Sequence, residues 1–218
     1  KKIDSNSLVA QRIKRLASIK LKLEHRDAMK LSQMQDIGGC RAIMKDISGV
    51  DNLVNFYKHE SRGLKHKNHR EDDYISHPQP SGYRSIHLVY KYRSEKSTVY
   101  TDMRTEIQIR TIKQHAWATA VETVGTFYNM SLKSGEGDPE WLRFFALMGS
   151  AIAISEGKPT VPGTSENVLE LRKEIKHLSK KLEVESTLTD FCKSIEVVCG
   201  APMAFAEYFL IEIGRIPS

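Results

Sequence analysis

"DDYISHPQPSGYRSIHLVYKY", Asp72 to Tyr92, holds two kinds of chain in one stretch. Its first half is punctuated by Pro78, Pro80 and Gly82. Each proline fixes its own φ and restricts the residue before it, and glycine permits positive φ, so this half reads as a rigid loop. From Ser85 onward Ile86, Leu88 and Tyr90 alternate with His87, Val89 and Lys91, the period of a half-buried strand. The loop therefore delivers Tyr83 and His87 to the margin of a sheet. Polar and aromatic residues carried on a stiff loop suggest a binding site, although a hairpin with a surface tyrosine would read the same way.

Outward from this stretch the chain alternates strands and helices. Residues 8–24 space Leu8, Val9, Ile13, Leu16, Ile19 and Leu23 for an amphipathic helix whose remainder is basic, with Arg12, Lys14, Arg15, Lys20 and Lys22. Asp36 and the Gly38-Gly39 pair lead into a short strand, Cys40 to Met44. Residues 50–60 read as a helix, and residues 61–73 as a charged loop without a packing pattern. A second strand, "TEIQIRT" near residue 105, sets Glu106, Gln108 and Arg110 on one face and turns Ile107 and Ile109 inward. Two helices follow, 113–132 and 139–157, the second opened by Pro139. "GKPTVPGTS" reads as a linker. Leu169, Leu171, Ile175, Leu178 and Leu182 mark a further helix, and "FAEYFLIEIG" a last strand. The sum is an α+β fold, a mixed or antiparallel sheet flanked by helices, with a smaller C-terminal element. The expected division is a domain over 1–156, a linker over 157–164 and an extension over 165–218.

The 218 residues carry 33 Lys and Arg against 27 Asp and Glu, a formal charge of +6 that favours polyanionic partners. The cysteines Cys40, Cys192 and Cys199 build neither a disulfide framework nor a thiolate metal site, which points to a reducing, cytoplasmic setting. No apolar run reaches the roughly 18 residues of a membrane span, and nothing at the N-terminus resembles a signal peptide. The chain lacks an initiator methionine, so a lost targeting segment stays open.

Three polar sets could carry chemistry: the basic N-terminal segment, Asp36 with Arg41 across the glycine pair, and Glu106, Gln108 and Arg110 on one strand. Carboxylates on separate elements among cations suit a Mg²⁺–phosphate site, because magnesium takes few protein carboxylates and completes its shell with phosphate and water. Arginine and lysine would hold the remaining phosphate charge. Taken singly, each set has a plainer explanation: a solvated helix face, a wet sheet face, a turn. Walker loops, dinucleotide fingerprints and nucleophile elbows are absent from the sequence.

In their order, "QRIKRLASIKLKL", "MQDIGGCRAI", "DYISHPQPSGYRSIHLV" and "TEIQIRT" resemble the synthetase domain of the RelA/SpoT family, over roughly Arg12 to Trp117. The resemblance implies a nucleotidyltransferase-like fold that moves pyrophosphate from ATP to a ribose 3′-hydroxyl. It implies that Arg12, Lys14, Lys22 and Arg41 grip ATP. Asp36 and Glu106 would hold Mg²⁺ and be the catalytic carboxylates, with Glu106 activating the hydroxyl. Tyr83 would stack on the acceptor's base. His87, Arg84, Gln108 and Arg110 would complete the acceptor side.

Alarmone-making members usually carry lysines at the positions that here are Asp72 and Gln79, where they face the acceptor's phosphates. Each such change could cost on the order of 1 kcal/mol toward a 5′-diphosphate. Lys65, Lys67, His69 and Arg70 could compensate. The departure favours a tRNA 3′ end, as in the small toxin-like members, or another adenosine-type acceptor. The alternative is a conventional (p)ppGpp synthetase acting on GDP or GTP, and a second is a catalytically inactive module that binds nucleotide or RNA. The extension over 165–218 leaves several roles open, namely internal packing, oligomerisation, tRNA binding or autoinhibition, and a separate antitoxin partner stays open beside them.

Overall fold

The computed structural model describes residues 7–14, 16–24, 29–60 and 65–190. The "FAEYFLIEIG" segment, Cys192 and Cys199 lie outside the described residues. Five strands, β1 (Leu8–Ile13), β2 (Gly38–Met44), β3 (Lys67–Asp73), β4 (Ile86–Lys91) and β5 (Arg104–Thr111), form one sheet in the order β1-β2-β5-β4-β3. Only β2 and β5 run parallel; the other three pairs are antiparallel. This mixed sheet with helices is the expected α+β architecture. Chain contacts divide the molecule into two compact units, Lys1–Asp73 with Ser85–Thr111, and Tyr74–Arg84 with Ile112–Ser218.

The first unit is the sheet with α1 (Leu16–Glu24) and α2 (Ile47–Asn55). Asp46 caps α2, accepting from the Gly49 amide at 2.9 Å. α2 packs on β2 and β5, burying Val50 and Val54. The same sheet face carries Ile86 opposite Ile109 and Leu88 opposite Ile107, as the alternation requires.

Two expectations fail here. Residues 8–24 are not one helix. Residues 8–13 form β1, and the helix begins only at Leu16. Leu8, Val9 and Ile13 are exposed, so their helical spacing marks no buried face. The free edge of β2 offers backbone partners, and that tertiary pairing overrides local periodicity. Residues 67–73 are likewise strand rather than loop, pairing with β4 and irregular between Asn68 and Arg70. An edge strand needs backbone hydrogen bonds but little apolar surface, and charges protect it from further pairing.

The second unit is helical: α3 (Ile112–Phe127), α4 (Pro139–Ser155) and α5 (Val168–Lys181) around one core. Asp138 caps α4, with Pro139 in its first turn, and Asn167 caps α5. Trp117, Trp141, Phe144 and Phe145 form its aromatic centre, and the Trp117 indole donates to the Phe145 carbonyl at 2.8 Å. Leu171, Ile175 and Leu178 of α5 join this core, as do Val184 and Leu188 beyond it, whereas Leu169 faces solvent. The helix pauses at 182–183, where Glu183 takes a positive φ. Residues 157–164 run inside this unit: Val161 is buried and its amide donates to Ser150 Oγ at 2.8 Å. Among the described residues no helix is long and apolar enough to cross a membrane.

Candidate active site

Gly39 lies opposite Glu106 in the parallel β2–β5 pair. A Cβ on Gly39 would sit 2.1 Å from the Glu106 carbonyl oxygen, so only glycine allows this approach. Gly38 would meet nothing within 4 Å. The start of β2 thus opens a shallow cleft lined by Asp36, Gly38, Gly39, Cys40, Glu106 and Gln108. The two carboxylates expected to act together share this cleft.

Asp36 lies just before β2 and is clasped by two ammonium groups. Lys14 Nζ donates to Oδ2 at 2.7 Å and Lys22 Nζ to Oδ1 at 2.9 Å. Burial works against the charge, yet the two lysines outweigh it and bring the carboxyl from 3.8 to about 2. Lys14 follows β1 and Lys22 belongs to α1, so the break between strand and helix lets two elements converge on one aspartate. Arg12 stands on β1 opposite Gly39; its side chain lies outside what the structure describes.

Glu106 is held from both sides. Its Oε1 lies 3.0 Å from His87 Nδ1, and its Oε2 accepts from Gln108 Nε2 at 2.7 Å. Gln108 Oε1 accepts in turn from Arg41, Nε at 3.3 Å and Nη2 at 3.2 Å. A guanidinium only donates and a carboxylate only accepts, so the bridge between them must offer an oxygen on one side and an N–H on the other. A carboxamide does both. Burial pushes the Glu106 carboxyl up, but hydrogen bonding to His87 and Gln108 prevails and holds it below the ordinary value, against the nearby Asp36 charge.

Sheet register organises these residues into rows. Arg41, Gln108, His87 and Asp72 lie opposite one another across β2, β5, β4 and β3. Two residues along, Arg12, Gly39, Glu106, Val89 and Arg70 form a second row. Arg70 turns to Asp72, its Nε 2.8 Å and Nη2 2.7 Å from Oδ1. The structure thus brings Asp36, Lys14, Lys22, Arg41, Glu106, His87 and Gln108 into one neighbourhood of the first unit. Arg70 belongs to the same face, and its alternation with Asp72 on an edge strand was the signal that a loop reading of 61–73 concealed.

Three residues expected on the acceptor side, Arg110, Tyr83 and Arg84, are buried. Arg110 is 1% exposed at the end of β5. Tyr83 and Arg84 belong to the second unit. Tyr83 is 7% exposed, its ring packed at 6.0 Å from Tyr74 and 6.2 Å from Trp117, with Lys133 Nζ 5.2 Å from its centroid. Arg84 is 2% exposed and spends its guanidinium on backbone carbonyls. Among the described residues no group of three or more His, Cys, Asp or Glu could hold a metal.

The pattern described as "Region found in RelA / SpoT proteins" matches residues 11–129, which contain the whole cleft. The chain belongs to the RelA/SpoT family. It is 41% identical to GTP pyrophosphokinase YwaC of Bacillus subtilis (strain 168) over 88 residues, 39% of this chain and 40% of that one. It is 32% identical to GTP pyrophosphokinase YjbM of the same organism over 124 residues, 56% of this chain and 57% of that one. The chain therefore spans about half the length of the curated relatives it matches. Among solved structures it resembles small alarmone synthetase 2 from Bacillus subtilis, with a TM-score of 0.57 at 25% identity over 69% of this chain and 76% of the other. That likeness supports the family assignment of the mixed sheet and its helices.

Proposed function

We propose that this protein transfers the pyrophosphoryl group of ATP to the 3′-hydroxyl of a guanosine nucleotide, GDP or GTP. The observation that carries the reading is the cleft at Gly39, where Asp36 and Glu106 stand together with both carboxyls held in the ionised range by protein donors. The relatives' name, GTP pyrophosphokinase, favours guanosine acceptors over the tRNA end to which Asp72 and Gln79 point. Arg70 adds a reason: it sets a cation against Asp72, so the face does not lose the charge that a bare aspartate would remove.

The donor set fits Mg²⁺: two hard carboxylates and no thiolate cluster among the described residues. Asp36 and Glu106 would hold the ion, which supplies charge neutralisation to the triphosphate. Lys14, Lys22 and Arg41 bring the cations for the ATP phosphates. The acceptor's 3′-oxygen attacks the β-phosphorus, the bond from that phosphorus to the α–β bridging oxygen breaks, and AMP leaves. Glu106 accepts the hydroxyl proton. A carboxylate below its ordinary pKa is a weak base, so its fixed orientation by His87 and Gln108 matters more than its basicity.

The test is an acceptor competition. ATP labelled at its β- or γ-phosphate is offered with Mg²⁺ to GDP, GTP, AMP, ATP and deacylated tRNA together. Label on GDP or GTP is the expected result. Label on tRNA replaces this reading with a translation-blocking one and returns Asp72 and Gln79 to prominence. Glu106→Gln is expected to abolish transfer while ATP binding by calorimetry persists; transfer that survives the change removes Glu106 from the chemistry.

A further inference from the structure

The sheet face that carries the cleft continues beyond the row of Glu106. Lys67 on β3 lies opposite Lys91 on β4, and Lys91 lies opposite Arg104 on β5. Three cations thus stand side by side across three adjacent strands. Along β4 and β5 this row is two residues, about 7 Å, from Val89 and Glu106, and it shares their face. On β3 the spacing from Arg70 is three residues, because the register shifts between Asn68 and Arg70 and passes over His69. Strict alternation would put Lys67 and Arg70 on opposite faces. The extra residue brings both to the cleft side.

Such a row is costly to the fold, since like charges directly opposite one another destabilise a sheet. Among the described residues neither Lys67 nor Lys91 forms an ion pair. Of the acids on β3, Glu71 is engaged by Lys58 and Asp72 by Arg70. Arg104 gives Nη1 to the Gln33 carbonyl at 2.8 Å and has the rest of its fork to offer. Protection of a sheet edge accounts for a lysine on β3, the outer strand, but not for cations on β4 and β5, which are inner strands. His69 takes up a proton less readily than usual, through desolvation first and then through the positive charge of Arg104, Lys91 and Arg70. The charges therefore converge on one patch, and a bound anion removes the repulsion that the fold leaves standing.

We infer that Lys67, Lys91 and Arg104 form a site for the outermost 5′-phosphate of the acceptor, so that a nucleoside triphosphate is preferred to a diphosphate. The inference rests on the reading that Glu106 receives the 3′-hydroxyl of a guanosine nucleotide. The placement of charge decides which substrate reaches the row. Lys14 and Lys22, the lysines that serve the ATP phosphates, converge on Asp36 from the β1 side of the cleft. The row lies on β3, β4 and β5, away from β1. An acceptor with its 3′-oxygen at Glu106 therefore has ATP toward β1 and its own phosphates toward the row. Two ammonium groups and a guanidinium suit a phosphate end, whose oxygens accept from all three.

The experiment compares wild type with Lys67→Ala, Lys91→Ala and the double variant in the full chain, with GTP, GDP and GMP as varied acceptors. Lys67 is exposed and Lys91 half-buried, so these variants keep the fold. Each single change is expected to raise the KM for GTP about tenfold, the scale of one charge-assisted hydrogen bond, and the KM for GDP by less. Equal rises for all three acceptors make the lysines supports of the sheet and overturn the phosphate role, and an unmoved GTP value overturns it as well. A second measurement needs neither acceptor nor transfer. Inorganic tripolyphosphate is titrated by calorimetry into protein whose ATP site is filled by a non-hydrolysable ATP analogue. Wild type is expected to bind it at least about tenfold more tightly than the double variant, by a margin that narrows as salt is raised. Equal binding by the two proteins, or none by wild type, overturns the site. Failure of the guanosine reading shows separately, as wild-type protein that labels tRNA and not GDP or GTP. That result removes the acceptor from the row, while tripolyphosphate still decides whether the row holds phosphate.

Discussion

Arg70 and Asp72 sit two residues apart on the edge strand, and the guanidinium closes on one carboxylate oxygen through both Nε and Nη2, at 2.8 and 2.7 Å. The pair shares a sheet face with Glu106 and His87 through the register of β3, β4 and β5. Asp72 therefore acts less as a repulsive charge than as an anchor for an arginine that is still 54% exposed. If that arginine meets the acceptor's 5′-phosphates, Arg70→Ala should lower kcat/KM for GDP about tenfold, the scale of one charge-assisted hydrogen bond, and leave guanosine as a poor acceptor unchanged. Adding Asp72→Lys to Arg70→Ala should restore much of the loss by moving the cation two residues along the strand, on the same face. Equal losses for GDP and guanosine would show that Arg70 serves the fold and not the phosphates.

Gln108 invites a sharper substitution. Its oxygen faces Arg41 and its amide nitrogen faces Glu106, so Gln108→Glu keeps the shape and reverses half of the bonding. The new carboxylate would accept from Arg41 but repel Glu106 at hydrogen-bond distance. The expected result is a fall in kcat of at least about a hundredfold, the scale of a displaced catalytic group, with a smaller change in the KM for ATP. Steady-state kinetics of Gln108→Glu beside Gln108→Ala decides it: a glutamate variant no worse than the alanine one would mean that the bridge does not hold Glu106 in place.

The strand that carries Gln108 shows what sequence could and could not reveal. Alternation in "TEIQIRT" placed Ile107 and Ile109 on the inner face and grouped Glu106, Gln108 and Arg110 on the other, and the register agrees. Alternation reports which residues share a face, not whether that face is wet. Gln108 is 5% and Arg110 1% exposed, because burial depends on tertiary partners that no local pattern encodes. The same limit hid β1 and β3. Leu8, Val9 and Ile13 mimic a helical stripe, and Lys67–Asp73 has no stripe at all, yet both are strands because neighbouring backbone was available to pair with. The cleft was more legible than the fold around it, since motif residues such as Asp36, Gly39 and Glu106 are chosen by chemistry. Arg84 is the converse: its place in a binding motif suggested a ligand, and its three carbonyl partners come from chain segments that only folding brings together.

Acid stability should register the clasp on Asp36. Its carboxyl is lowered in the folded protein from 3.8 to about 2. A depressed folded pKa means that the unfolded chain binds the proton first as pH falls. The stabilisation is therefore complete above about pH 4 and is lost as pH drops through the interval toward 2. Glu106, also held below its ordinary value, pulls in the same direction. Urea unfolding between pH 6 and 2.5 should show stability declining over the lower part of that range. In Asp36→Asn the decline should be shallower, because one of the protons responsible has been removed. An identical slope in the variant would mean that Lys14 and Lys22 do not stabilise the aspartate in solution.

The adjacent glycines of the cleft make opposite predictions from one geometry. Gly39 faces the Glu106 backbone, and a Cβ there would meet the carbonyl oxygen at 2.1 Å with its carbon at 3.1 Å. The obstacle is main chain of a paired strand, which cannot swing aside as a side chain can. Gly39→Ala must spread the parallel β2–β5 pair and shift Glu106 with it, at a cost on the order of 3 kcal/mol and with loss of transfer. Gly38 would meet nothing within 4 Å, so Gly38→Ala should leave the melting temperature within a few degrees of wild type. Any effect of that second change on the KM for ATP would then come from occupation of the cleft itself, since Gly38 lines it. Thermal melts and ATP kinetics on the two variants separate the roles: Gly39 keeps the strands close, and Gly38 keeps the cleft open. A Gly39→Ala protein with wild-type melting would show that β2 and β5 do not approach as closely as this pairing requires.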